Sequence, residues 1–151
     1  MHGFGGRLGF PRRIARAYGA TRTLRLPPLR LRGMRTGSRI LLLQTLAEFS
    51  SVAIRKAGIA VDEVRTTIDA WRAVLPVQGT EDDDLSAALD AVKNHRLAFW
   101  DALLWGAAQR AGVRHLLTED LQDGFELAGV RFVNPFEAAN DRLIDEILPP
   151  R

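Results

Sequence analysis

From Ile40 onward the apolar residues fall into short segments of two kinds, and their spacing predicts strands alternating with helices. "ILLLQ" reads as a short buried strand, because Ile40 to Leu43 is an unbroken apolar run. "TLAEFSSVAIRKAG" sets Leu46, Phe49 and Ala53 on one helical face and offers Gly58 as the C-terminal stop. Residues 61–73 make a second helix with Trp71 near its end, and "AVLPV" is a short strand or extended link. "TEDDDLSAALDAVKNH" places Leu85, Ala88, Leu89 and Val92 at i, i+3, i+4 and i+7, an amphipathic helix for which Thr80 and Asp83 supply a capping box. A mostly apolar helix follows over residues 100–111, Gly112 stops it, and "VRHLLT" and "GVRFV" are strands, the second closed by Asn134-Pro135. No internal repeat is present. Helices alternating with short apolar strands predict an α/β domain around a central parallel sheet.

Residues 1–38 share none of this periodicity. They read as Gly, Arg, Leu and Pro, with only Ile14, Ala17 and Tyr18 hinting at a helical face. Pro27 and Pro28 have no N–H to give and end whatever helix begins there. Three segments result: an irregular basic stretch over 1–38, an α/β domain over 39–140 and a tail over 141–151.

Composition narrows the class. A chain of 151 residues with 46% hydrophobic content builds one core rather than two. The absence of cysteine excludes a disulfide scaffold and a Cys-based zinc site, and fits a reducing interior. No apolar run approaches the length of a bilayer crossing, so a soluble, cytoplasmic protein with no membrane partner is expected. The net charge of +3 is misleading as a property of the domain. Ten of the 21 basic residues are arginines within residues 1–40, which contain no acid; the remaining eleven face all 18 acids, leaving −7 on the body of the chain.

The acids of that body carry the candidate chemistry. In "FWDALLWGAAQRAGVRHLLTED", Asp101 opens a helix and Asp120 follows a strand. A helix of about 11 residues spans about 16 Å and a strand of about 5 spans about 17 Å, so one leg retraces the other. Both acids then return to the carboxyl edge of the sheet, where ligands of open α/β folds collect. Glu48 obeys the same rule, one turn into the helix after the strand at 40–43. Three converging carboxylates repel one another unless a cation neutralises them. Magnesium suits such a rim, because it takes oxygen ligands and retains several waters. It polarises a phosphate and acidifies an attacking water, so phosphodiester hydrolysis is the reaction class.

Structural roles compete for each of these residues. Asp101 is also an N-terminal acid favoured by the helix dipole, although its neighbours Phe99, Trp100, Leu103 and Leu104 make an unpaired charge expensive. Glu48 shares a stripe with Gln44, Ser51 and Arg55, which is also what a solvated face looks like. Asp120 can cap the turn "EDLQDG", and Glu119, Asp123 and Asp62 read as plain surface acids. Glu81 to Asp84 fit the first turn of their helix better than a site. His2, His95 and His115 lack metal-ligand spacing, with His95 fitting a helix C-terminus, and neither a hydrolase elbow nor a phosphate loop occurs. Trp71, Trp100 and Trp105 read as core.

The segments "LLLQTLAEFSSVAIRKAG", "FWDALLWGAAQRAGVRHLLTEDLQDG" and "GVRFVNPF" resemble PIN-domain ribonucleases, in particular the toxin members of VapBC-type toxin/antitoxin pairs. The resemblance covers about residues 38–137 in the family's order. It implies a three-layer α/β/α fold with a central parallel sheet and a Mg2+- or Mn2+-dependent endoribonuclease. It also implies an antitoxin whose tail blocks the site, with metal-binding or catalytic carboxylates at Glu48, Asp101 and Asp120. The partners expected with it are an RNA substrate, the cognate antitoxin and a second copy of the chain in a homodimer.

One element of that family is missing. Its members begin with a hydrophobic strand ending in an aspartate that ligates the metal, whereas residues 1–47 contain no Asp or Glu. A leader of suitable length and unsuitable composition reads as out-of-frame translation of a GC-rich gene; finding no apolar strand ending in Asp in either other upstream frame would dismiss this. Metal affinity and nuclease activity are accordingly expected to be impaired. Two other functions compete: a catalytically inactive PIN-like module that binds an antitoxin or RNA, and a chain whose residues 1–38 act as a basic RNA-binding arm or a transit peptide.

Overall fold

The computed structural model describes residues 39–147. The expectations for residues 1–38, including the helical hint at Ile14 to Tyr18, and for His2 lie outside the described residues. The chain alternates as expected: β1 (Leu41–Leu42), α1 (Leu43–Arg55), α2 (Val61–Arg72), β2 (Val77–Gln78), α3 (Asp82–His95), α4 (Phe99–Arg110), β3 (His115–Leu117), β4 (Glu126–Leu127) and β5 (Val130–Val133). A 3-10 turn (Ala138–Asn140) and α5 (Asp141–Ile147) follow, so the expected tail begins as a helix.

The apolar run at 40–43 divides between two elements. Leu42 is extended and buried and acts as the N-cap of α1, while Leu43 is already helical and half exposed. Short apolar runs do not by themselves distinguish strand from helix, which explains the late start assigned to α1. The buried face of α1 is Leu46, Phe49, Val52 and Ala53, as its spacing required, and Gly58 takes the left-handed conformation (φ 66°) just beyond the helix. There the side chains of α1 and α2 form a small cluster of Phe49, Ala53 and Val64, with the Phe49 and Trp71 rings 4.8 Å apart.

The strands form two small sheets rather than one parallel sheet, among the described residues. Strands β1 and β2 pair in parallel, with Leu41 opposite Val77 and Leu42 opposite Gln78. Strands β3 and β5 also pair in parallel, and β4 adds an antiparallel edge to β5. That edge strand went unread because its two-residue turn is Ala128-Gly129, without the usual Asn-Gly or Asp-Gly signal. Both residues nonetheless adopt the positive φ such a turn requires (47° and 80°). Leu42, Ala102, Trp105, Leu116 and Phe132 belong to one core cluster, so α4 joins the two sheets. The result is a mixed α/β domain.

The pair α3 and α4 corrects the expected amphipathic stripe. Helix α3 buries Asp84, Ala88 and Ala91, whereas Leu85 and Leu89 are 42% and 54% exposed. Its capping box is formed by Glu81 and Asp84, one residue after the Thr80–Asp83 pair expected. The rotation follows from close helix packing: Gly106 of α4 lies so near Asp84 that an added Cβ would stand 3.0 Å from its carbonyl oxygen. Asp84 tolerates burial because the Arg110 guanidinium, hydrogen-bonded at 2.8 and 3.0 Å, holds its carboxyl below the ordinary carboxylate range. Arg110 also reaches Glu81 Oε1 at 2.8 Å and the Gly79 carbonyl at 2.7 Å.

Candidate functional site

The three expected carboxylates approach one another from separate parts of the chain. Glu48 lies on α1 after β1, Asp101 in the first turn of α4, and Asp120 just after β3. Helix α4 therefore starts where β1 and β3 end. Gln44, immediately after β1, fixes this junction, since its Nε2 donates to the Trp100 carbonyl at 3.0 Å and to Glu48 Oε1 at 3.0 Å. On the other side the Asp120 backbone N–H donates to Thr118 Oγ1 at 3.2 Å, and Thr118 is buried. Asp120 thus belongs to a local turn as well as to the rim.

Asp101 is the electrostatic centre of the group. Burial pushes its carboxyl from 3.8 up to about 6, and the neighbouring charges of Asp120 and then Glu48 push in the same direction. Desolvation disfavours the charged form of an acid, and two like charges add to the penalty. A carboxyl in this state is one sign of a functional position, although structural networks also produce it.

Proximity stops short of closure. Among the described residues, no three His, Asp or Glu side chains form a metal-ligating group. The carboxylates of Glu48 and Asp120 near Asp101 are hard oxygens, of the kind magnesium or manganese accepts. These carboxylates do not close into a ligand set, so no enclosed cation site is present among the described residues.

Several single residues differ from expectation. Trp105 is core, donating Nε1–H to the Leu127 carbonyl at 3.1 Å, and Trp71 is half-buried against Phe49. Trp100 is 57% exposed and meets the exposed Phe99 edge to ring at 5.2 Å. The first turn of α4 projects past the core, so its apolar composition misled the reading of both its aromatic residues. Asp123 is more than a surface acid: it accepts the Asn134 N–H at 2.7 Å and Asn140 Nδ2 at 2.8 Å, which lower its pKa and tie the β3–β4 loop to the turn after β5. Gln44 is the site residue that sequence reasoning passed over. Its i,i+4 spacing to Glu48 was the available signal.

No protein-family model matches this chain, and no curated protein matches it significantly. Among the described residues, no helix is long and apolar enough to cross a membrane.

Proposed function

We propose that this chain is a divalent-metal-dependent endoribonuclease of PIN type, the toxin component of a cytoplasmic toxin/antitoxin pair, with Glu48, Asp101 and Asp120 as its acidic site. The observation that carries this reading is the raised pKa of Asp101 between Asp120 and Glu48, three carboxylates from distant segments gathered at the carboxyl ends of β1 and β3. Carboxylates that raise one another's pKa in this way are a sign of a functional acidic position. Mg2+ or Mn2+ bound there would neutralise the rim and polarise an RNA phosphate. Asp101 and Glu48 are held relative to each other by Gln44, and the turn at Thr118 holds Asp120. The alternation of helices with small, largely parallel sheets is compatible with a three-layer PIN-like arrangement. The homodimer and the antitoxin belong to the same proposal.

A catalytically inactive PIN-like module that binds an antitoxin or RNA is the second reading. It is favoured by the open ligand set and by the lack of any acid in residues 1–47. Incubating the full chain with a structured RNA and Mn2+ separates the two. Cleavage that is lost on Asp101→Asn supports the enzyme; RNA binding indifferent to Mn2+, without cleavage by either protein, supports the module.

A further inference from the structure

Helix α3 carries its bulkiest apolar side chains on its outer side. It buries Asp84, Ala88 and Ala91, whereas Leu85 and Leu89, its two leucines, are exposed. Neither leucine joins the core cluster, although Ala87 and Val92 of the same helix pack against it. Single exposed leucines are ordinary on a protein surface. Two at i and i+4 are neighbours on one face, with Cβ atoms about 5–6 Å apart, and make the kind of stripe that a helix lays against a partner.

The charges on the same stripe limit what that partner is. Asp82 lies three residues before Leu85 and Lys93 four residues after Leu89, so the helical period puts all four on one side of α3. Asp82 and Lys93 are exposed, and among the described residues neither forms an ion pair. The stripe therefore runs acid, leucine, leucine, base, and its complement is the same stripe reversed. A second α3 laid antiparallel sets Leu85 against Leu89 of the partner subunit and Asp82 against Lys93 of the partner subunit. A two-fold axis then makes the reciprocal contacts as well. A parallel copy would instead oppose acid to acid and base to base, which repels.

We propose that the outer face of α3, formed by Asp82, Leu85, Leu89 and Lys93, is the surface on which a second copy of the chain docks, with the two α3 helices antiparallel about a two-fold axis near their middle. Burial of the leucines supplies the attraction, and the charges set direction and register. This deepens the homodimer part of the reading given above and rests on that part alone, not on metal binding or RNA cleavage.

The test is the mass of the full chain in solution, by sedimentation equilibrium over a range of concentrations. The wild type is expected at twice the chain mass. Leu89→Asp sets a charge against Leu85 of the partner subunit twice in each dimer and is expected to weaken association about 100-fold. Asp82→Lys and Lys93→Glu each oppose like charges at both ends of the contact, for a loss of about 10-fold apiece. In an equimolar mixture of those two variants both charge contacts become attractive again, so the mixed pair is expected to recover the wild-type affinity. Urea midpoints of the variants check that each is folded. Should Asp82→Lys, which removes an acid from the first turn, fail to fold, Lys93→Glu and Leu89→Asp decide. A dimer indifferent to Leu89→Asp overturns the inference and leaves the homodimer standing on another face; a wild type that stays monomeric overturns both. Loss of the dimer in Leu89→Asp without any response to the charge variants, or without recovery on mixing, overturns the antiparallel pairing.

Discussion

Replacing Asp101 by asparagine is expected to make the protein more stable at neutral pH. In the folded chain the Asp101 carboxyl titrates at about 6, against 3.8 when unhindered. That rise of about two pH units corresponds to about 3 kcal/mol of penalty on the ionised form. Asp101 is only partly shielded from water, so solvent screening reduces the usable figure to about 1–2 kcal/mol. The sign follows from proton linkage. Between pH 4 and 6 the folded state holds a proton that the unfolded state has released, so stability falls as pH rises through this window and levels off above it. Asparagine carries no charge and escapes the loss. Urea unfolding of the wild type and Asp101→Asn, with divalent ions chelated, measures the difference at intervals from pH 4 to pH 8. The two curves should nearly coincide at pH 4, with the variant ahead by about 1–2 kcal/mol at pH 7. A variant that is less stable at pH 7, or a gap that does not change with pH, would refute the electrostatic picture of the rim.

Mn2+ at about 100 times its Kd should raise the unfolding free energy of the wild type by about 2.7 kcal/mol at pH 7, less at pH 5, and hardly at all in Asp101→Asn; thermal scans with and without metal check this. Gly106→Ala should destabilise by about 1–2 kcal/mol although alanine is the better helix former by about 1 kcal/mol, because the new Cβ would crowd the Asp84 carbonyl oxygen at 3.0 Å. A raised urea midpoint would show that α3 and α4 are less tightly apposed than they stand here. Trp100 is the most exposed of the three tryptophans, so Trp100→Phe should remove most of the fluorescence that acrylamide quenches; an unchanged quenching curve would place that side chain in the interior.

Legibility followed the range of the interaction concerned. Residue spacing and single stop signals located α1, α2, α4, β3 and β5 because those depend on local periodicity and on turns such as the one at Gly112 (φ 72°). The approach of Asp101 to Glu48 and Asp120 was legible for the same reason: chain direction and element length fix which edge a residue reaches. What escaped depended on partners far along the chain. The buried face of α3 cannot be found from its own periodicity, since Leu85 and Leu89 make the better apolar stripe on paper. Asp84 turns inward only because Arg110, 26 residues later, receives it. Trp100 reads as core from its neighbours in sequence, and only the end of the packed layer beneath it decides otherwise. The antiparallel β4 was missed because Ala128 accepts a positive φ that its side chain does not advertise.

These long-range contacts also explain how Asp101 is kept beside Asp120 and Glu48. An ionised carboxyl repelled by Asp120 and Glu48 would be expected to drift toward water unless its helix were held at both ends. At the far end of α4, Arg110 is bound to Asp84, Glu81 and the Gly79 carbonyl, which fixes the helix to the start of α3 and the exit of β2. At the near end, Gln44 holds the Trp100 carbonyl, one residue before Asp101. Pulling the partly exposed Arg110 away would leave the buried Asp84 carboxylate without compensation, so the far anchor resists loosening. Helix α4 therefore keeps its position against the repulsion at its first turn. The cost of the clustered acids therefore stays in place as a raised Asp101 pKa rather than being relieved by movement, and, on the proposed reading, a carboxylate held in advance would lose less freedom on binding a cation.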